Sequence, residues 1–199
     1  MSADPKTLAV YDAQVAEYEQ RVAQKPTPGL TEFVTNLPPG GHVLDLGCGP
    51  GSSALELMTQ GFSVDATDGA IEMVARAVAR GVSARQALFH EITGDGIYDG
   101  IWANFSLLHL PRAEMPDILA RIRLALKPDG VFHIGLKLGK GEARDRLGRF
   151  YTYYQEDELT NLLTHAGFTP FYRIIGAGTG LDGQISDWIV LHAKGATHG

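Results

Sequence analysis

A single cysteine, Cys48, leaves the 199-residue chain with no partner for an internal disulfide and no thiolate set for a zinc cluster. No apolar run approaches the roughly 20 residues that span a bilayer, and the N-terminus lacks a basic segment followed by an apolar one. A cytoplasmic protein with no membrane partner is expected. Positive charge is scarce as well: 17 Lys and Arg against 23 Asp and Glu give a formal charge of −6. Phosphate backbones are bound largely through Lys and Arg, so no nucleic-acid partner is expected. Repeats, low-complexity tracts and long charge runs are missing, no metal site is expected, and the ends, Met1 to Asp4 and Gly195 to Gly199, read as poorly anchored. A small-molecule partner remains. The length and a 44% hydrophobic composition suit one domain, 1–199, with a sizeable core, as a monomer or homodimer.

Glycine, by contrast, is plentiful, and three alternate at the end of Val43-Leu44-Asp45-Leu46-Gly47-Cys48-Gly49-Pro50-Gly51. An apolar run, a glycine turn and a helical pattern read as a buried strand, a tight turn and a helix start. Glycine suits a turn over which a ligand lies, because a side chain would hold the ligand away. The dinucleotide fingerprint places glycine where this chain has Ser52, which disfavours a nicotinamide-dependent oxidoreductase. Asp45 would repel a pyrophosphate and suits a cationic amine. Cys48, inside the turn, reads as a small packing residue rather than a nucleophile.

This stretch resembles the first motif of the class I S-adenosylmethionine-dependent methyltransferases. Three further stretches match in order: Val64-Asp65-Ala66-Thr67-Asp68-Gly69 before a helix through Met73, Tyr98 to Trp102 running on to Ser106 through His109, and Leu126 to Gly130, with Asp129 where glycine is commoner. The layout is somewhat like that of tellurite-resistance-type methyltransferases. The resemblance implies S-adenosylmethionine as cofactor and S-adenosylhomocysteine as product, with Asp45, Gly47, Cys48 and Gly49 under the methionine part and Asp68 at the ribose. It extends the cofactor site to Gly69, Met73, Asn104 and Phe105. The adenine loop has no Asp, so His90 or Glu91 serves there.

The alternation of strands and helices implies a Rossmann-like, doubly wound, mostly parallel sheet, and the resemblance makes it seven-stranded with an antiparallel last strand and helices on both faces. Lys6 to Gln24 reads as one amphipathic helix with Leu8, Tyr11, Val15, Tyr18 and Val22 on one face. Residues 1–37 then form a helical lid, in which Tyr11 or Tyr18 reaches the ligand or merely packs. Later helices are expected at 70–80, 115–126 and 156–166, and strands at 62–67, 84–89, 131–136, 169–175 and 185–193. Ser52 or Ser53 is expected to cap the helix after the turn.

Catalytic residues are less legible. Asn104 follows the fourth strand, and His109 could be a general base or a packed histidine at a helix start. The segment 137–155 carries five basic and two acidic residues between Lys137 and Arg149, followed by Phe150, Tyr151, Tyr153 and Tyr154. It reads either as a substrate-side cover, with Arg149, Tyr153 and Tyr11 recognising an anionic or aromatic acceptor, or as a solvated loop anchored by its aromatics. A sulfonium cofactor makes its methyl group electrophilic, so direct in-line displacement onto a small molecule needs alignment and water exclusion rather than a covalent enzyme intermediate. The alternative is a cofactor-binding partner or sensor without turnover.

Overall fold

The computed structural model describes residues 4–23 and 27–195. The run before the glycine turn is β1 (His42–Leu46), paired in parallel with β2 (Ser63–Asp68) on one side and β4 (Tyr98–Asn104) on the other. Outward from these lie β3 (Ala84–Gln86) and β5 (Leu126–Lys137), also parallel. The long final pair, β8 (Phe168–Thr179) and β9 (Ile185–Gly195), completes a seven-stranded sheet in the order β3-β2-β1-β4-β5-β9-β8. Only β9 runs against its neighbours in that sheet, as expected. The strand order reverses between β1 and β4, and this is where an open α/β sheet leaves a crevice beyond its carboxyl ends.

Alternation along the strands divides the core in two. Leu44, Ile101 and Phe132 face α6 (Met115–Ala125) and α7 (Glu156–His165). Their neighbours Val43, Trp102 and Val131 face the other side, with Phe33 of α3 (Leu30–Thr35), Leu57 of α4 (Ser52–Thr59) and Ala77 of α5 (Ile71–Ala79). Among the described residues no helix is long and apolar enough to cross a membrane.

Several boundaries differ from the sequence reading. The N-terminal helix is two helices, α1 (Pro5–Ala13) and α2 (Val15–Ala23), divided at Gln14, whose N–H turns back to the Tyr11 carbonyl. Gln24, the expected end, and the Val22 side chain lie outside the described residues, as do Met1 to Ala3 and Ala196 to Gly199 of the ends. Helix α4 begins at Gly51, which takes a left-handed cap with no side-chain hydrogen bond, so neither Ser52 nor Ser53 is the cap. The third strand stops at Gln86 because Phe89–Glu91 winds into a 3-10 turn that the Glu91 carboxylate caps, accepting from the Leu88 N–H at 2.7 Å. The segment after β5 is a hairpin of β6 (Glu142–Arg144) and β7 (Phe150–Thr152) instead of a loop. Its turn closes on the Asp145 carboxylate, which accepts from the Leu147 and Arg149 N–H groups. At Asp129 the backbone takes φ 61°, which explains why that turn more often carries glycine.

Candidate functional site

The glycine turn is locked to the end of β2. Gly47 and Cys48 donate to the Thr67 carbonyl at 2.8 and 2.9 Å, and Gly49 donates to Asp68 Oδ2 at 2.8 Å. The other Asp68 oxygen accepts from the Ala70 N–H at 2.9 Å. Gly47 and Gly49 both have positive φ, 78° and 54°. A Cβ on Gly47 would lie 2.2 Å from that of Ser106, whose hydroxyl donates to the Leu46 carbonyl, so this glycine admits the turn after β4. On Gly49 a Cβ would meet only Tyr18 Cε1, at 3.4 Å, and would otherwise project into a cavity.

Two cavities meet at this turn and share Tyr11, Tyr18, Gly47 and Phe105. The smaller, about 90 Å³, is walled by Asp68, Gly69, Met73, Leu88 and His90. His90 is exposed on its rim, whereas Glu91 is spent on its own turn and lies outside this wall. The larger, about 420 Å³, begins at Asp45, Gly47 and Cys48 and extends to Asn104, Lys137 and Trp188. Phe105 takes φ 55°, a strained value for an aromatic residue, at the junction of the two. Trp188 lies over Gly176, where a Cβ would come within 2.3 Å of the indole, and nothing in the sequence pattern marked this pair.

Asp45 is 2% exposed and its Oδ2 has no hydrogen-bond partner. Burial, with the Asp68 charge adding, lifts its carboxyl from the ordinary 3.8 to about 7. Asp68 is also raised by burial, against the backbone donors that lower it. Burial pushes the Cys48 thiol far above its ordinary value, so it is not a nucleophile. Two carboxylates that lack compensating charge at one glycine turn fit a cationic ligand.

On the far wall, Tyr11 is held from two sides. His109 Nδ1 lies 2.6 Å from the Phe150 carbonyl, an obligate acceptor, so Nδ1 carries the proton and Nε2 accepts from the Tyr11 hydroxyl at 2.7 Å. Arg149 donates to the same hydroxyl at 2.9 Å. Burial holds His109 down to about 3, and its one lone pair is already engaged. It sits in the smaller cavity's wall as a neutral anchor for Tyr11 rather than as a free base. Arg149 is 2% exposed and paired through two nitrogens with Asp145. Tyr153 lies outside both cavity walls, stacked 6.0 Å from Tyr151, and Tyr151 is the hairpin tyrosine that lines the larger cavity. Tyr153 lies beyond the end of β7, so the strand does not hold it as it holds Tyr151.

The mostly parallel sheet with the glycine turn at its switch point is the class I methyltransferase fold. A family model described as a methyltransferase domain matches residues 17–171, and the chain belongs to that family. It is similar to the crystal structure of the Burkholderia thailandensis 1,6-didemethyltoxoflavin-N1-methyltransferase with bound 1,6-didemethyltoxoflavin and S-adenosylhomocysteine, at TM-score 0.77 and 25% identity over 98% of this chain and 92% of that one. A trans-aconitate 2-methyltransferase of Variovorax paradoxus is 37% identical over 119 residues, 57% of this chain and 45% of its own length. A putative methyltransferase of Bacillus subtilis, YqeM, is 28% identical over 131 residues, 61% of this chain and 53% of its own. The chain thus spans about half the length of the curated relatives it matches. Membership of the methyltransferase family displaces the oxidoreductase alternative.

Proposed function

We propose that this chain methylates a small-molecule acceptor seated in the larger cavity, by direct in-line displacement. One observation carries the reading: Asp45, one of whose carboxylate oxygens has no hydrogen-bond partner, lines a cavity that continues past the glycine turn to a wall of Tyr11, Tyr151, Lys137 and Trp188. Its volume, about 420 Å³, falls in the range of small-molecule sites. Two of the relatives are named for acceptors of that size, trans-aconitate and 1,6-didemethyltoxoflavin.

S-adenosylmethionine supplies a methyl group made electrophilic by its sulfonium. In this assignment Asp45 pairs with the ammonium, Asp68 accepts from the ribose hydroxyls, and Leu88 and His90 flank the adenine. Helices α1 and α2 cover the site and exclude water, tied down by Asp4 to Arg144, by Thr7 to the Phe150 N–H and by Tyr11 to Arg149. Asn104 and Lys137 meet the acceptor, and no residue needs to form a covalent intermediate.

The test is transfer of a radiolabelled methyl group from S-adenosylmethionine into a fractionated cell extract. Label in small molecules is expected. Label confined to protein or nucleic acid, or no label although S-adenosylhomocysteine binds, would overturn the reading.

A further inference from the structure

The sheet register brings three polar or aromatic side chains of the larger cavity onto one face. Asn104 pairs with Gly135, and Lys137, two residues further along β5, pairs with Trp188 of β9. Side chains alternate along strands, so Asn104, Lys137 and Trp188 project to the same side, all of them into the cavity. Gly135 makes room for this: a Cβ there would stand 3.0 Å from Asn104 Oδ1.

The Asn104 amide is held in one orientation from within the core. His133, fully buried and stacked 3.4 Å from Trp102, places Nε2 at 3.1 Å from Asn104 Oδ1 and Nδ1 at 2.9 Å from His192 Nε2. His192 Nδ1 has no partner in its buried surroundings. A buried N–H without an acceptor is rarer than a bare acceptor without a donor, so the His192 proton sits on Nε2. Nε2 then donates to His133 Nδ1, His133 donates to Asn104 Oδ1, and the Asn104 amide nitrogen is left with its two protons for the cavity.

Lys137 adds a charge. Its ammonium lies half-buried, 4.2 Å from the centre of the Tyr151 ring, and forms no ion pair among the described residues. Burial pushes its pKa below the ordinary lysine value, with Asp182 and Asp145 opposing the shift and Arg149 adding to it. Arg149 differs, because Asp145 already neutralises it. A desolvated cation beside a fixed amide donor matches a planar oxyanion.

We propose that Lys137 and Asn104 form a carboxylate subsite, that the acceptor is a carboxylate-bearing small molecule, and that His133 is a positioning residue for the Asn104 amide. This rests on the methyl-transfer reading above, so cofactor and acid binding are measured separately. Calorimetry on the protein loaded with S-adenosylhomocysteine uses trans-aconitate as the anionic probe and its trimethyl ester as the neutral one. The acid is expected to bind and the ester not. Lys137→Gln is expected to weaken the acid by about tenfold or more while S-adenosylhomocysteine affinity stays within about twofold. His133→Phe is expected to weaken the acid and His133→Gln, which keeps a donor for Asn104, to restore it. No binding of the acid, equal binding of the ester, or an unaltered acid affinity in Lys137→Gln would overturn the subsite, whether or not the His133 variants fold. Failure of the cofactor analogue to bind would strike the methyl-transfer reading instead, and the acid titration on unloaded protein would still decide the subsite.

Discussion

The Tyr11 hydroxyl donates to Nε2 of His109 across 2.7 Å, joining the first helix to the turn after β4. Arg149 donates into the same oxygen, so three separate parts of the chain meet at one phenol. Tyr11→Phe should leave His109 Nε2 and the Arg149 Nη1 donor unpaired, at about 1–3 kcal/mol for each buried group so left, while Arg149 keeps its pair with Asp145. For a domain of this size that lowers the melting temperature by roughly 2–4 °C per kcal/mol. Calorimetry should show the drop together with weaker S-adenosylhomocysteine binding, and an unchanged melting curve would mean that α1 is not anchored there.

Asp45 gives a pH dependence of known sign. Its folded pKa, about 7, lies above the ordinary 3.8, so the folded protein holds a proton that the unfolded chain has released. This group's contribution to stability therefore falls as pH rises between those values. Asp45→Asn should remove that fall, so that without cofactor the variant gains on the wild type between pH 5 and about pH 8. Cofactor binding should respond in the opposite way, since only the ionised carboxylate pairs with an ammonium. Wild-type affinity is expected to rise with pH through about 7, a rise absent in Asp45→Asn. Parallel pH profiles for the two proteins would remove Asp45 from the ammonium site.

Asp68 has two duties, because its oxygens also accept from Gly49 and Ala70. Charge-assisted hydrogen bonds contribute about 1.5–3 kcal/mol each, so Asp68→Ala should weaken S-adenosylhomocysteine by about tenfold to a few hundredfold. Normal affinity in a variant with intact circular dichroism would clear the ribose position.

Gly49→Val should abolish cofactor binding while leaving a folded protein. The valine would have to adopt φ near 54° and send its branches into the cavity beside Tyr18. Retained affinity would contradict the placement of the cofactor over this turn.

Arg149→Met tests stability. Removing one partner of a buried ion pair costs about 3–5 kcal/mol, and here the stranded group is Asp145, 3% exposed. A large loss of melting temperature should therefore come before any selective loss of turnover. Tyr153→Phe, outside the cavity walls, should leave both nearly unchanged. A stable Arg149→Met protein with selectively lost turnover would return Arg149 to the acceptor site.

The sequence alone determined the sheet and its cofactor end. Apolar runs of strand length, glycine stops and the acids Asp45 and Asp68 are local patterns, and backbone chemistry ties such patterns to a strand, a turn and a helix start. It also located the basic hairpin region by composition. Tertiary structure decided how those groups are spent. Arg149 is charged in any fold, but only the Asp145 turn folding back on it makes it an internal ion pair; Arg21 pairs with Glu17, and among the described residues Lys137 is left as the cavity-lining cation without an ion pair. Glu91 and His90 are adjacent, yet a 3-10 turn spends one on a backbone N–H and leaves the other at the cavity rim. The His192–His133–Asn104 chain joins residues far apart in sequence that meet only because β4, β5 and β9 are neighbours in the sheet. Hydrogen bonds and ion pairs of this kind depend on distances set by the packing of separate elements, and no local periodicity encodes them.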